Sequence, residues 1–378
     1  MTAASEVKPR RAVLEMPEYH PPLAGRELLR LDFNENTFAP SPKVIERLHQ
    51  VTAEELTKYP ERESVEAIAA AHFGLRADQM VLTNGVDEAI HLMCCAFLEE
   101  GDEAIICTPT FFMYDVSVRM MTRGLVKVQA DETLEFPFER FKAAITERTK
   151  LMFIASPNNP TGAVVSREHL LALAEAAPQA ALMVDEAYSH FDGESVIGDL
   201  DAVPNLVIAR TFSKAYGMAS LRIGMLAGNA GLLKYVRKVS SPYNINGAAL
   251  DCLPVALADK DYLAWYVEQV RVGRDRMMAG LRELGVPYFP SHANFVLMKI
   301  GPKHKELVAA MRAHGVLLRD RSADPGCNGF VRITIGIEEH VRMGLAALRS
   351  SLEEIGWDRR ETGEPAGPQP GEDEREFE

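Results

Sequence analysis

The chain has 378 residues, 47% of them hydrophobic and 25% charged, with a formal net charge of −13. That length suits two lobes better than a single core, and the composition is that of a folded globular protein. The acidic balance argues against nucleic acid as the main partner, and no apolar run is long enough to cross a bilayer, so no membrane partner is expected.

The opening residues, MTAASEVKPRR, carry no apolar segment of signal type, which implies cytoplasmic residence. The five cysteines, Cys94, Cys95, Cys107, Cys252 and Cys327, are odd in number and form no C-x-x-C pair. They read as reduced thiols rather than a disulfide framework. The ten histidines include no pair at helical metal-ligand spacing, so no metal site is expected.

In chain order, the first forty-odd residues are Pro-rich and lack a clear period. They are expected to wrap over other elements. Short apolar runs then alternate with helical patterns. The runs are Met80–Leu82, Ala104–Cys107, Leu125–Val128, Leu151–Ala155, Ala181–Val184, Leu206–Arg210 and Ile223–Ala227. Helical stretches such as Val86–Phe97 and Arg167–Ala176 lie between them. Apolar strands interleaved with helices predict a mostly parallel α/β sheet covered on both faces. After Pro254 the pattern changes. Asp261–Leu284 predicts one long amphipathic helix. Strands Phe295–Met298 and Phe330–Ile335, with helices Lys303–His314 and Glu338–Glu354, predict a smaller α+β domain. The expected division is an N-terminal arm at 1–45, a large domain at 46–255, a small domain at 256–358 and a tail at 359–378. Glu361–Glu378 carries seven acids and one arginine, leaving −7 for the rest. That tail reads as a disordered, solvated extension.

Four local signals carry chemistry. Thr211-Phe212-Ser213-Lys214 follows an apolar run, and ligands of open α/β sheets sit at the carboxyl ends of strands. A lysine there either lies in a solvated turn or, with a lowered pKa, bonds an aldehyde. Arg222, eight residues on, offers a fork for phosphate. Asp185-Glu186-Ala187-Tyr188 directly follows the run Ala181–Val184. Its acid either caps a helix or keeps a heterocyclic nitrogen protonated. Ser156-Pro157-Asn158-Asn159-Pro160-Thr161-Gly162 is more specific than a turn requires. Thr83-Asn84-Gly85-Val86-Asp87-Glu88 joins a strand to a helix, as an anion site or as an ordinary cap.

Taken together, LDFNENTFAPSP, KYPE, TNGVDEAI, PTFFMY, SPNNPTG, VDEAY, TFSKAYGMASLRIG, HANF, GVLLRDRS and FVRITIG resemble the fold-type-I pyridoxal-phosphate aminotransferases. Among these the chain is most similar to the histidinol-phosphate aminotransferases, from about Tyr19 to Trp357. The resemblance implies a seven-stranded sheet in the large domain and pyridoxal 5'-phosphate as cofactor. It implies that Lys214 bonds the cofactor aldehyde and later moves a proton. Asp185 pairs with the ring nitrogen, Tyr188 and Asn159 bond the ring oxygen, and Phe111 stacks on the ring. The phosphate meets the amides of Val86 and Asp87, with Ser213 and Arg222. Tyr59 reaches the phosphate in a partner subunit's site, which implies a homodimer with shared active sites. Arg332 grips an anionic substrate group, and Arg319, Tyr19 and Asn34 lie near it. Thr37, Ala39, Ser220 and Met225 depart from the residues common in relatives.

The implied reaction is transamination between an amino donor, L-histidinol phosphate, and a 2-oxo acid, 2-oxoglutarate, as in histidine biosynthesis. An aromatic amino-acid aminotransferase and a related decarboxylase are the alternatives on the same scaffold. A DNA-binding regulator would need an added module, and no helix-turn-helix pattern precedes the fold. A Rossmann dehydrogenase would need a G-x-G-x-x-G after the first strand, and none is present.

Overall fold

The computed structural model describes residues 7–16 and 23–362. Its centre is a seven-stranded sheet. Across the sheet the strands run Met80–Thr83, Gly224–Gly228, Leu206–Thr211, Ala181–Asp185, Thr149–Ala155, Glu103–Thr108 and Gly124–Gln129. Gly224–Gly228 is antiparallel to both neighbours, and the other pairings are parallel. The expected α/β sheet is therefore present, each strand within about two residues of its predicted bounds.

Consecutive strand residues point to opposite faces. Leu82, Ile105, Met152, Leu182 and Ile208 pack on one face, and Val81, Ile106, Phe153, Met183 and Val207 on the other. Both faces are buried, so the strands read as unbroken apolar runs with no alternation. Helices Gly85–Phe97, Phe112–Arg119 and Ala230–Val239 supply the second face; Glu63–His72, Arg167–Ala176 and Gly247–Ala258 supply the first. Gly247–Ala258 runs through Pro254, so the division placed after residue 255 falls inside a helix. Leu250, Leu253 and Leu257 bury themselves in the core, and that packing outweighs the hydrogen bond lost at proline.

A separate antiparallel sheet runs Arg319–Asp320, Phe330–Thr334, Phe295–Lys299 and Tyr288–Phe289. Helices Lys260–Glu283, His304–Ala313 and Glu338–Glu354 accompany it, and it has its own apolar cluster. In the N-terminal stretch, Arg11–Glu15 is a helix, and Leu29–Arg30 pairs in parallel with Val316–Leu317. Residues 31–40 then cross between the sheets, where Thr334 N–H donates to Leu31 O and Asn36 donates to Tyr262. Of the tail, only 359–362 is described, as a 3-10 turn. The five cysteines are free thiols, and Cys94, Cys252 and Cys327 are buried.

Candidate active site

Asp185 closes the strand Ala181–Asp185 and is 5% exposed. Its Oδ2 accepts from Tyr114 Oη at 2.7 Å and its Oδ1 from Ala187 N–H at 3.0 Å. Tyr114 belongs to helix Phe112–Arg119, and its ring stacks on Phe153 at 5.2 Å. Burial pushes the Asp185 carboxyl up to about 6, against the pull of those two hydrogen bonds. Among the described residues, no cationic side chain pairs with it. A buried carboxylate left in that state is best satisfied by a protonated nitrogen.

Lys214 lies three residues beyond the strand Leu206–Thr211. Its Nζ donates to Phe33 O at 2.9 Å and sits 5.9 Å from the Tyr188 ring centre. Burial, and then the positive charge of Arg332, push the amine down to about 8. The neutral amine that attack on an aldehyde requires is therefore far more populated near neutral pH than for an ordinary lysine. Tyr188 Oη accepts from Asn34 Nδ2 at 3.1 Å, and burial raises its pKa. Asn34 adopts a left-handed φ of 55°. Its N–H donates to Thr334 Oγ1 at 3.0 Å, and its carbonyl accepts from Asn294 at 3.1 Å.

Helix Gly85–Phe97 begins beside Arg222. Arg222 has a left-handed φ of 53°, and its Nη2 donates to Asp87 Oδ2 at 3.0 Å. Gly85 has a φ of 71°, and a Cβ there would lie 2.8 Å from Arg222 Nη2. Only glycine lets the guanidinium come this close to the helix start. The first-turn amides, Val86 and Asp87 included, have no partner within the helix and face an anion favourably. Ser213 is buried, with its N–H on Thr211 Oγ1 at 3.1 Å. The charge of Asp87 is felt at both Asp185 and Lys214. Phe111 immediately precedes helix Phe112–Arg119 and meets Tyr114 edge-on at 5.8 Å.

At the other end, Arg332 is 4% exposed on the strand Phe330–Thr334. Its Nη2 donates to Asp32 O at 2.7 Å, its Nη1 donates to Asn159 Oδ1, and its Nε has no acceptor. Burial, and then the charge of Arg321, push its pKa down to about 9. Arg319 is the cross-strand partner of Arg332, and its guanidinium lies 5.3 Å from the Phe33 ring centre. Lys214, Tyr188, Asn34, Arg332 and Asn159 are thus joined by direct or shared contacts, and the charge of Asp185 is felt at Tyr188. Tyr59 is 79% exposed and stacks on Tyr243 at 4.3 Å. Tyr19 lies outside the described residues. Of the four departures, Met225 is fully buried in the core, Ser220 lies in the 3-10 turn before Arg222, and Thr37 and Ala39 bond Tyr266 and Tyr262.

These residues fit pyridoxal 5'-phosphate. The carboxylate without a cation suits a ring nitrogen, the low-pKa amine an aldehyde, and the helix start with Arg222 a phosphate. Sequence reasoning named no role for Tyr114, although it lies in the PTFFMY segment one helical turn after Phe111. The Phe33 and Asp32 carbonyls carry no side-chain signal at all.

An α/β fold with a lysine, an acid and an arginine arranged in this way defines a class of enzyme acting on amines. The family model of aminotransferase class I and II matches residues 26–348, and the chain belongs to that family. A histidinol-phosphate aminotransferase from Dehalococcoides mccartyi is 31% identical over 326 residues, 86% of this chain and 90% of that relative. The crystal structure of histidinol-phosphate aminotransferase from Sinorhizobium meliloti in complex with pyridoxal-5'-phosphate aligns with a TM-score of 0.83. It is 26% identical, and the match covers 94% of this chain and 99% of that one. The L-threonine-O-3-phosphate decarboxylase from Porphyromonas gingivalis, at 23% identity and a TM-score of 0.76, covering 86% of this chain and all of that one, shares the fold.

Proposed function

We propose that the chain uses pyridoxal 5'-phosphate to transfer the amino group of L-histidinol phosphate to 2-oxoglutarate, giving imidazole acetol phosphate and L-glutamate. The observation that carries this reading is the buried Lys214 amine, set 2.9 Å from Phe33 O and pushed down to about 8 by burial and by the charge of Arg332. When bound, the cofactor supplies an aldehyde that bonds amines and a ring that accepts the electron pair left by α-deprotonation. The Asp185 carboxylate keeps a proton on the ring nitrogen. Tyr188 and Asn159 orient the ring oxygen, and Phe111 covers a ring face. Val86, Asp87, Ser213 and Arg222 hold the phosphate. With the cofactor bound, Lys214 Nζ would take the donor's α-proton as general base and give it back as general acid. Arg332 pairs with the carboxylate of glutamate or the phosphate of histidinol phosphate in turn, with Arg319, Asn34 and Tyr19 as its proposed substrate-binding partners.

The same reading makes the protein a cytoplasmic homodimer in which Tyr59 completes the partner's site. The 79% exposure of Tyr59, although it stacks on Tyr243, supports that role, since an exposed aromatic suits a neighbour. The domain division goes with it, supported by the separate apolar clusters of the two sheets. Steady-state kinetics with a panel of amino donors tests the reaction. Turnover of histidinol phosphate is expected. Turnover of phenylalanine without it would make the enzyme an aromatic aminotransferase, and release of carbon dioxide would make it a decarboxylase.

A further inference from the structure

Three arginines lie close together at the small sheet, where Arg321 directly follows the edge strand Arg319–Asp320 and its N–H donates to Phe330 O at 2.9 Å. Arg319 and Arg332 are direct cross-strand partners. Like charges placed opposite each other destabilise a sheet. Such a cluster persists when an anion rewards it. Two guanidinium nitrogens support this: Nε of Arg321 and Nε of Arg332 are both buried without an acceptor. After burial, Arg321 is the largest influence on Arg332, and its charge also reaches Tyr188.

Asp324 sits against this cluster. Asp324 forms an ion pair with Arg321, and its N–H donates to the Arg321 carbonyl at 2.9 Å. The side chains of Arg321 and Asp324 are 13% and 24% exposed, so solvent screens the pair weakly. Burial raises the Asp324 pKa, against the pull of Arg321, Arg332 and Arg319.

We propose that the Arg321–Asp324 pair is the selectivity element of the anion site. Resting on the proposed reaction, this reading makes Arg332 the grip common to both substrates. A phosphate dianion carries enough charge to draw Arg321 away from Asp324 and take its free Nε–H. A single carboxylate does not, and leaves the pair closed. Arg321 therefore discriminates the phosphorylated amine from glutamate.

The test is kcat/KM for histidinol phosphate and for glutamate in the wild-type holoenzyme and in Arg321→Gln, Asp324→Asn and the double variant. Inorganic phosphate is the competitive probe. Arg321→Gln is expected to lower kcat/KM for histidinol phosphate about 30-fold, the scale of one charge-assisted hydrogen bond, and that for glutamate less than about 3-fold. Asp324→Asn is expected to tighten inhibition by phosphate. The double variant, which leaves no buried charge unpaired, keeps the test valid if Arg321→Gln folds poorly, and it too should lose selectivity. Equal losses for both substrates in Arg321→Gln and the double variant, or unchanged phosphate inhibition in Asp324→Asn, would overturn the proposal. A wild-type enzyme inert toward histidinol phosphate would instead sink the proposed reaction.

Discussion

Replacing Asp185 by asparagine is expected to stabilise the cofactor-free protein while destroying its use of cofactor. The carboxyl is pushed up from 3.8 to about 6 by burial. A shift of about 2 units corresponds to about 3 kcal/mol of destabilisation when the group is ionised. The sign follows from proton binding. The folded chain holds the Asp185 proton more tightly than the unfolded chain, so stability falls as pH rises from about 4 to about 6 and stays lower above. An amide does not ionise, and it keeps both contacts when its oxygen accepts from Ala187 N–H and its NH2 donates to Tyr114 Oη. Asp185→Asn should therefore gain about 2–3 kcal/mol over wild type at pH 8, and less at pH 5. Thermal unfolding of stripped protein, at one concentration and both pH values, measures this. A variant no more stable than wild type at pH 8, or a gap that ignores pH, would refute the reasoning.

Other expectations follow from the same geometry. Arg332→Lys keeps the charge but loses the fork that spans Asp32 O and Asn159. Its kcat/KM should fall at least about tenfold for both histidinol phosphate and glutamate, with KM carrying much of the loss. Tyr59→Phe should leave thermal stability within about 0.5 kcal/mol, because the residue is 79% exposed, yet weaken cofactor binding in equilibrium dialysis. Tyr114→Phe removes the donor 2.7 Å from Asp185, so the acidic limb of the kcat pH profile should move upward.

Much of this was legible in the sequence, and the exceptions have physical causes. The parallel strands announced themselves as apolar runs because both faces of the sheet are covered. Lys214, Asp185 and Asn159 stood out because each follows such a run, where α/β sheets bind ligands. Helix Gly247–Ala258 was hidden because Pro254 reads locally as a break, and only the packing of its neighbours overrides that. The bond from Tyr114 to Asp185 spans 71 positions, and the one from Lys214 to Phe33 spans 181. No periodicity encodes such pairs, and the second uses a backbone carbonyl that no side chain marks. Arg321 escaped because a third arginine near a turn looks like a solvated charge until the fold brings its charge to bear on Arg332.

Borohydride reduction of the yellow holoprotein, followed by peptide mapping, tests most directly which amine meets the cofactor. The expected result is a single pyridoxyl label on Lys214, absent from Lys214→Ala along with steady turnover. A label on any other lysine, or no reducible yellow form, would contradict the account.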